Sequence, residues 1–358
     1  MVSRGFTQDW FLNGTLAILA SFSLLILRSA APSLFWIQAA WFAIAAVVIV
    51  WFSHIDWRPF LSYRWLILGL YFASVALLLL TLIMAPTVRE TRSWLPIGPF
   101  RFQTSEFAKS VLLLMLAYFF TRRHYGVARL GTVLLSALYF IVPTVLVLLQ
   151  PDWGSAFIFV GLWVGFLIVG GIRIRHILWG FFIFLGIAVM AWLFVLADYQ
   201  KARILGFLEP EYDPLGVNYS VIQAKIAIGS AGFLGKGFEQ GTQLQLGFLT
   251  EPATDFIFAA FIEEWGLLGG IALVAAFAAL TFRIMFIGFH APNNFFRFIC
   301  LGTALVFILH FFLNVGSTVG LVPVVGIPFP FFSYGGSSIL TKAALIGIIQ
   351  SIAVRSAV

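Results

Sequence analysis

The chain has 358 residues, 61% of them hydrophobic and 10% charged, with a mean hydropathy of +1.03. A soluble domain carries about 25% charged residues, so the composition excludes a water-soluble globule and points to an all-α, polytopic membrane protein. The net charge of +7 comes from Lys and Arg scattered between apolar runs without a basic face, so nucleic acid is not an expected partner.

The first apolar run, residues 11–27, is longer than a signal-peptide core. The small residues at 29–31 weakly resemble a cleavage site, but Arg28 precedes them and more spans follow, so the run reads as a retained first helix. A crossing needs about 20 apolar residues. Ten are predicted, at 10–27, 34–52, 65–84, 106–120, 130–149, 155–171, 177–197, 254–282, 295–313 and 338–355. The fourth is short and the eighth long. The one cysteine, Cys300, lies in an apolar run, which leaves no intramolecular disulfide and no cysteine metal site. No internal repeat is visible, which counts against an inverted-repeat transporter. The chain is expected to form a single integral membrane domain over residues 1–358.

Lys and Arg mark cytoplasmic loops. With the N-terminus inside, Arg4, Arg58, Arg64, Arg122, Arg123, Arg129, Arg173, Arg175, Arg283, Arg297 and Arg355 fall inside. Outside are Arg28, Arg89, Arg92, Arg101, Lys201, Arg203, Lys225 and Lys236, the last four in one long loop where the rule is weak. Both termini are therefore expected in the cytoplasm. Most acids then lie at or beyond the outer surface, among them Glu90, Glu106, Asp152, Glu211, Glu251 and Asp255. Acids do little for topology, so this bias suggests chemistry or binding outside.

Inner loops are short and basic, whereas outer segments are elaborate. One runs over residues 86–105, a second over about 198–253 between the seventh and eighth spans, and a third, over 314–337, is uncharged and rich in Gly, Pro and Phe. Structureless segments of such length are unusual unless functional. Within the long loop, NYSVIQAKIAIGSAGFLG (218–235) has helical character and no turn residue before Gly229, so a short helix at the outer interface is expected. The glycine-rich stretch that follows, GKGFEQGTQ, reads as a flexible linker, or alternatively as a backbone cradle for phosphate.

Several charged residues fall within or beside the spans. SEFAKS (105–110) sets Glu106 and Lys109 three apart, on one helical face. Asp152, after a proline, reads as a turn or helix cap. EPATDFIFAAFIEEWGLLGG (251–270) carries Asp255 at the mouth of the eighth span and Glu263 and Glu264 about 12 Å further along it. At about 100° per residue these three carboxylates cannot share one site. Asp255 is either a cap or a working carboxylate, while Glu263 and Glu264 are expected to pair within the bundle. Lys342, about a turn into the last span, either snorkels or finds an acid. Glu106, Lys109, Arg101, Lys201, Arg203, Lys225, Lys236, Asp255 and Lys342 together form an outward cluster suited to an anionic, lipid-linked substrate. No His/Cys metal cluster, phosphate-binding P-loop or Ser/His/Asp arrangement stands out.

NVGSTVGLVPVVGIPFPFFSYGGSS (314–338) closely resembles the signature of the SEDS family, the shape, elongation, division and sporulation proteins. FQTSEFAK, QPDWGSA, GFLGKGFEQGTQ and EPATDFIFAAFIEEWGLLGG resemble further family motifs in the same order. Departures are small: Thr104 stands where the family usually has Pro, and Trp153 where it has Leu. The likeness covers the whole span plan and is nearest the elongation member, with the division member next. It implies a peptidoglycan glycosyltransferase of the bacterial cytoplasmic membrane that polymerises lipid II on the outer side, for elongation and shape. The implied partners are lipid II, the lipid-linked glycan, a class B penicillin-binding protein and elongation-complex membrane proteins. Asp255 is implied as the catalytic residue. Glu106, Lys109, Arg203, Lys225, Lys236, Lys342 and Ser338 would bind substrate diphosphate or support the site. No cofactor is evident; a divalent cation on the diphosphate is an option without a dedicated ligand set. Two other readings are a lipid II flippase and a non-catalytic scaffold for the penicillin-binding protein. A flippase would spread its essential charges over both leaflets, whereas here they crowd outside.

Overall fold

The structure, a computed structural model, describes residues 8–87, 91–98, 100–123, 130–194, 196–209 and 212–356. Arg4, Arg89, Glu90, Arg129 and Glu211, used above for orientation, lie outside the described residues.

All ten predicted spans are helices. They are α1 (Trp10–Ala30), α2 (Pro32–His54), α4 (Arg64–Met84), α5 (Thr104–Arg123), α6 (Leu130–Leu149), α7 (Trp153–Val169), α8 (Ile174–Phe194), α12 (Ile257–Phe289), α13 (Asn294–Val319) and α14 (Gly336–Ser356). Nine are 20 to 33 residues long and apolar enough to cross a membrane, and α7 adds a 17-residue apolar helix. The fourth span gains two residues at its start and three at its end, and at 20 residues is not short after all. Side chains close the ends where the sequence supplies caps: Asp9 accepts from Leu12 N, Asp152 from Ser155 N and Asn293 from Phe296 N. Gly320, left-handed at φ 79°, ends α13. α8 has no buried residue, so its apolar surface faces outward on every side.

A short α3 (Trp57–Ser62) links α2 to α4. Ahead of α5, a two-stranded antiparallel hairpin, β1 (Trp94–Ile97) and β2 (Phe100–Gln103), turns at Gly98 (φ 60°) and is the one departure from all-α among the described residues. The stretch at 198–253 carries three helices: α9 (Asp198–Leu208), α10 (Tyr219–Ser230), where the short helix was expected, and α11 (Thr242–Gln245).

The first and last described residues lie at one end of the bundle. Asp9, capping α1, pairs with Arg283 of α12 at 2.6 Å, and its N–H donates to Gln350 of α14 at 2.9 Å. Beside them Arg58 pairs with Asp56 at 3.0 Å and holds its carboxyl below the usual carboxylate range, while Arg355 donates to the Ser53 and His54 carbonyls. The hairpin, the α9–α11 segment, the turn before α12 and the loop before α14 gather at the opposite end.

The eighth span is not continuous. Gly266 (φ 69°, ψ −172°) breaks α12 after Trp265. The remaining 267–289 segment is 23 residues, about 35 Å, and is long enough to cross a bilayer on its own. Glu263 and Glu264 thus precede the crossing segment instead of lying partway along it. At the break the chain accepts a second strand of backbone. Lys236 N and Gly237 N donate to the Glu263 and Glu264 carbonyls at 2.9 and 3.0 Å, and Leu267 N and Leu268 N donate to Gly232 and Phe233 at 3.1 Å each. Glu263, fully buried, accepts from Lys236 Nζ (2.7 Å), Gln243 N (2.8 Å) and Leu244 N (3.0 Å). Glu264 accepts from the Ser29 hydroxyl of α1 and from Glu239 N (3.1 Å). The expected flexible linker is therefore a docked segment, because the two acids supply acceptors for backbone donors that would otherwise need water.

Gly235, at φ 82°, presses against the Glu264 carbonyl and the Gly266 nitrogen, leaving no room for a Cβ. Gly235→Ala should lower stability by at least about 1–2 kcal/mol, the cost of a left-handed alanine alone. Protease nicking within 232–247 should report the undocking. Gly229→Ala, where a Cβ meets open space within α10, is the control and should leave the docking intact. Equal nicking of the two variants would overturn this account.

Candidate functional site

The irregular loop 321–335 enters the interior through its aromatic side chains. Phe329 meets Phe277 and Phe311 at ring distances of 5.1 and 5.2 Å, Phe332 meets Phe261 at 5.4 Å, and Phe331 meets Phe307 at 5.7 Å. Each such pair contributes about 0.5–1.5 kcal/mol beyond area burial. Irregular backbone this deep needs its polar groups satisfied by protein. Gln38 of α2 donates to Ser333 O (3.2 Å), Tyr334 N donates to Ala253 O (2.9 Å), and Ser333 Oγ donates to Thr254 O (2.8 Å). Burial raises the Tyr334 phenol above its usual range.

Those last two bonds also fasten the turn that carries Asp255. From α13, Asn314 Nδ2 donates to Asp255 O (3.2 Å) and Thr318 Oγ1 to the same carbonyl (3.4 Å). The N-cap of α12 falls on Phe256, so Asp255 stands one residue ahead of it. Asp255 is part-exposed, and a Cβ on Gly326 (φ 67°) would stand 3.8 Å from Asp255 Oδ2. A Cβ there would make only an ordinary contact, so glycine serves the left-handed backbone beside the carboxylate. Glu251 (φ 47°) and Phe331 (φ 57°), both non-glycine, are left-handed in the two segments that frame Asp255. Such residues cost about 1–3 kcal/mol each and persist where surrounding bonds over-determine the backbone.

Glu106, Lys109, Lys342 and Ser338 meet in one buried cluster. Glu106 Oε1 accepts from Lys109 Nζ at 2.5 Å, its Oε2 accepts from Lys342 Nζ at 2.9 Å, and Lys342 also donates to the Ser338 hydroxyl. Lys342 therefore finds its acid. Relative exposures of 2%, 1% and 2% for Glu106, Lys109 and Lys342 seal the cluster from solvent in this conformation. Next to it, Asp152 Oδ2 accepts from Ser105 Oγ at 3.0 Å.

His310 of α13 completes the cluster, and nothing in its apolar setting marked it in the sequence. Its Nδ1 lies 3.1 Å from Pro328 O, which can only accept, so Nδ1 carries the proton. Its Nε2 lies 3.4 Å from Lys109 Nζ, a donor, so Nε2 accepts and the ring is neutral.

The other three cations stand apart. Lys236 is held by Glu263. Lys225 of α10 lies over the carbonyl end of α13, where a Cβ on Gly320 would be 2.5 Å from Nζ and the helix dipole favours a cation. Arg203 is exposed on α9, whose end is tied to α10 by Asn218 Nδ2 donating to Gly206 O at 2.9 Å. Among the described residues no three His, Cys, Asp or Glu side chains gather as a metal site.

This is a polytopic membrane protein in which a part-exposed carboxylate is held at one end of the bundle above a buried ion cluster. The sequence model of the cell cycle protein family that groups FtsW, RodA and SpoVE matches residues 6–357, and the chain belongs to that family. It is 39% identical over 298 residues to the peptidoglycan glycosyltransferase MrdB of Escherichia coli K12, covering 83% of this chain and 77% of that protein. It superposes on a chain solved in a study of how a peptidoglycan synthase complex coordinates polymerization and crosslinking, at 31% identity and TM-score 0.83, with 98% of each chain covered. It also superposes on the rod shape determining protein RodA of Thermus thermophilus, at 27% identity and TM-score 0.73, covering 98% of this chain and 97% of that one.

Proposed function

We infer that the chain, acting as a single integral membrane unit over 1–358, is a peptidoglycan glycosyltransferase that polymerises lipid II for cell elongation and shape. It works at the outer side of the bacterial cytoplasmic membrane, with both termini inside. The observation that carries this reading is the fastening of Asp255: its main chain is bound from α13 while its side chain stays part-exposed beside Gly326. The names of the relatives support it.

The growing chain is the donor, held through its lipid diphosphate, and the lipid II 4-hydroxyl is the acceptor. The hydroxyl oxygen attacks the donor's anomeric carbon, its proton passes to the Asp255 carboxylate, and the bond to diphosphate breaks with inversion. Of the candidate cations, Arg203 and Lys225 lie outside the ion cluster and meet the departing diphosphate charge, whereas Lys236 is taken by Glu263; a divalent cation would add to them. A class B penicillin-binding protein would crosslink the product, within a complex of elongation membrane proteins.

Purified protein given lipid II in detergent is expected to yield glycan strands resolvable on a gel, tested with and without the class B partner. Absence of strands in both arms would leave the flippase or scaffold reading in place of the enzyme.

A further inference from the structure

His310 and Asn314 sit one turn apart on α13, fully or almost fully buried, and take consecutive carbonyls of the same irregular loop. His310 Nδ1–H donates to Pro328 O (3.1 Å) and Asn314 Nδ2 donates to Ile327 O (2.9 Å). Beyond the loop the two lead in different directions. His310 accepts from Lys109, and so joins the Glu106 cluster. Asn314 donates on to Asp255 O. Gly326, which lies beside the Asp255 carboxylate, immediately precedes the two captured carbonyls.

An apolar residue would fill either position on α13 but leave the loop carbonyl taken there without that donor, so simple core packing does not account for this pair. We propose that His310 and Asn314 are positioning residues that register the 326–328 backbone, and through it the Asp255 carboxylate, against the buried Glu106–Lys109–Lys342 cluster. The inference rests on Asp255 being the base of a glycosyl transfer. Misplacing a reacting group by about 1 Å costs on the order of 10²-fold in rate. The ion cluster thus acts on the reaction through the loop without touching substrate.

The test is steady-state polymerisation of lipid II in detergent, paired with hydrogen–deuterium exchange of full-length protein. His310→Leu should lower kcat on the order of 10²-fold with KM little changed, because only the transition-state geometry is lost. His310→Gln should restore most of the rate, since its amide can donate to Pro328 O and accept from Lys109 together. Asn314→Asp, similar in size but without the amide donor, should behave like His310→Leu. Exchange over 321–335 should rise in His310→Leu and Asn314→Asp and stay at the wild-type level in His310→Gln. Loss in the Gln variant equal to that in Leu, or a raised KM at unchanged kcat, would overturn the proposal. Wild-type protein that makes no glycan would remove the polymerase reading instead. The exchange measurement would then decide the coupling alone, and unchanged exchange in His310→Leu would refute it.

Discussion

Asp255→Ala is expected to abolish glycan synthesis by purified protein while leaving the fold intact. The two outcomes are separable because the turn is held through main-chain atoms: Asn314 and Thr318 donate to the Asp255 carbonyl, and Ser333 to that of Thr254. An alanine keeps every one of these acceptors. The N-cap position belongs to Phe256, so no cap is removed. Thermal unfolding in detergent should therefore stay near that of the wild type. A positioned general base contributes about 10²–10⁴-fold, so residual synthesis should be at or below detection in a gel assay. Asp255→Asn should be as inactive as alanine, because an amide cannot take the hydroxyl proton at neutral pH. Asp255→Glu, one methylene longer, should retain a fraction of the rate. Glycan at the wild-type level from Asp255→Ala would sink the mechanism.

Glu106→Gln is expected to produce the largest loss of stability of any single charge removal at the site. Its carboxylate is shared by two ammonium groups at 2.5 and 2.9 Å, all three residues being almost wholly buried. Taking away one partner of a buried ion pair costs about 3–5 kcal/mol, because the remaining charge is left without compensation. Here the uncompensated charge is two lysines. The neutral His310 ring supplies an acceptor for Lys109 but no charge. The thermal midpoint in detergent should fall markedly in Glu106→Gln and recover in part in Glu106→Gln/Lys342→Met, which withdraws one cation together with the acid. A midpoint unchanged in the single variant would show that the cluster adds nothing to stability.

Hydropathy alone located all ten long helices, because each must cover about 30 Å of hydrocarbon with apolar residues whatever its neighbours do. Periodicity likewise located α10 within the long 198–253 segment. The β1–β2 hairpin escaped, since its strands are four residues each and lie in a stretch read as a loop. The break at Gly266 escaped for another reason. A glycine in an apolar run is common in membrane helices, and only the docking of 232–237 reveals why this one leaves the helix.

Within the site, local spacing paired Glu106 with Lys109, three residues apart. It could not pair Glu106 with Lys342, which are 236 positions apart in the chain. His310 and Asn314 were invisible for a similar reason. Their partners are backbone carbonyls of a loop, and a carbonyl carries no residue identity. Glu263 and Glu264 find partners other than Asp255, but helical phase does not measure the separation, because Asp255 stands ahead of the helix. Their occupation with backbone N–H groups of residues 239–244 is a tertiary fact with no signature in the span itself.

The break in α12 separates its crossing segment from the turn that carries Asp255. Changes in bilayer thickness tilt or slide a helix whose apolar length is fixed. Here that helix is 267–289, and the chain leaves helical geometry at Gly266 before it reaches the turn at Asp255. That turn takes its coordinates from α13 and the aromatic loop, through bonds to residues 254 and 255. The carboxylate is thus surveyed from the protein interior and not from the membrane that surrounds it.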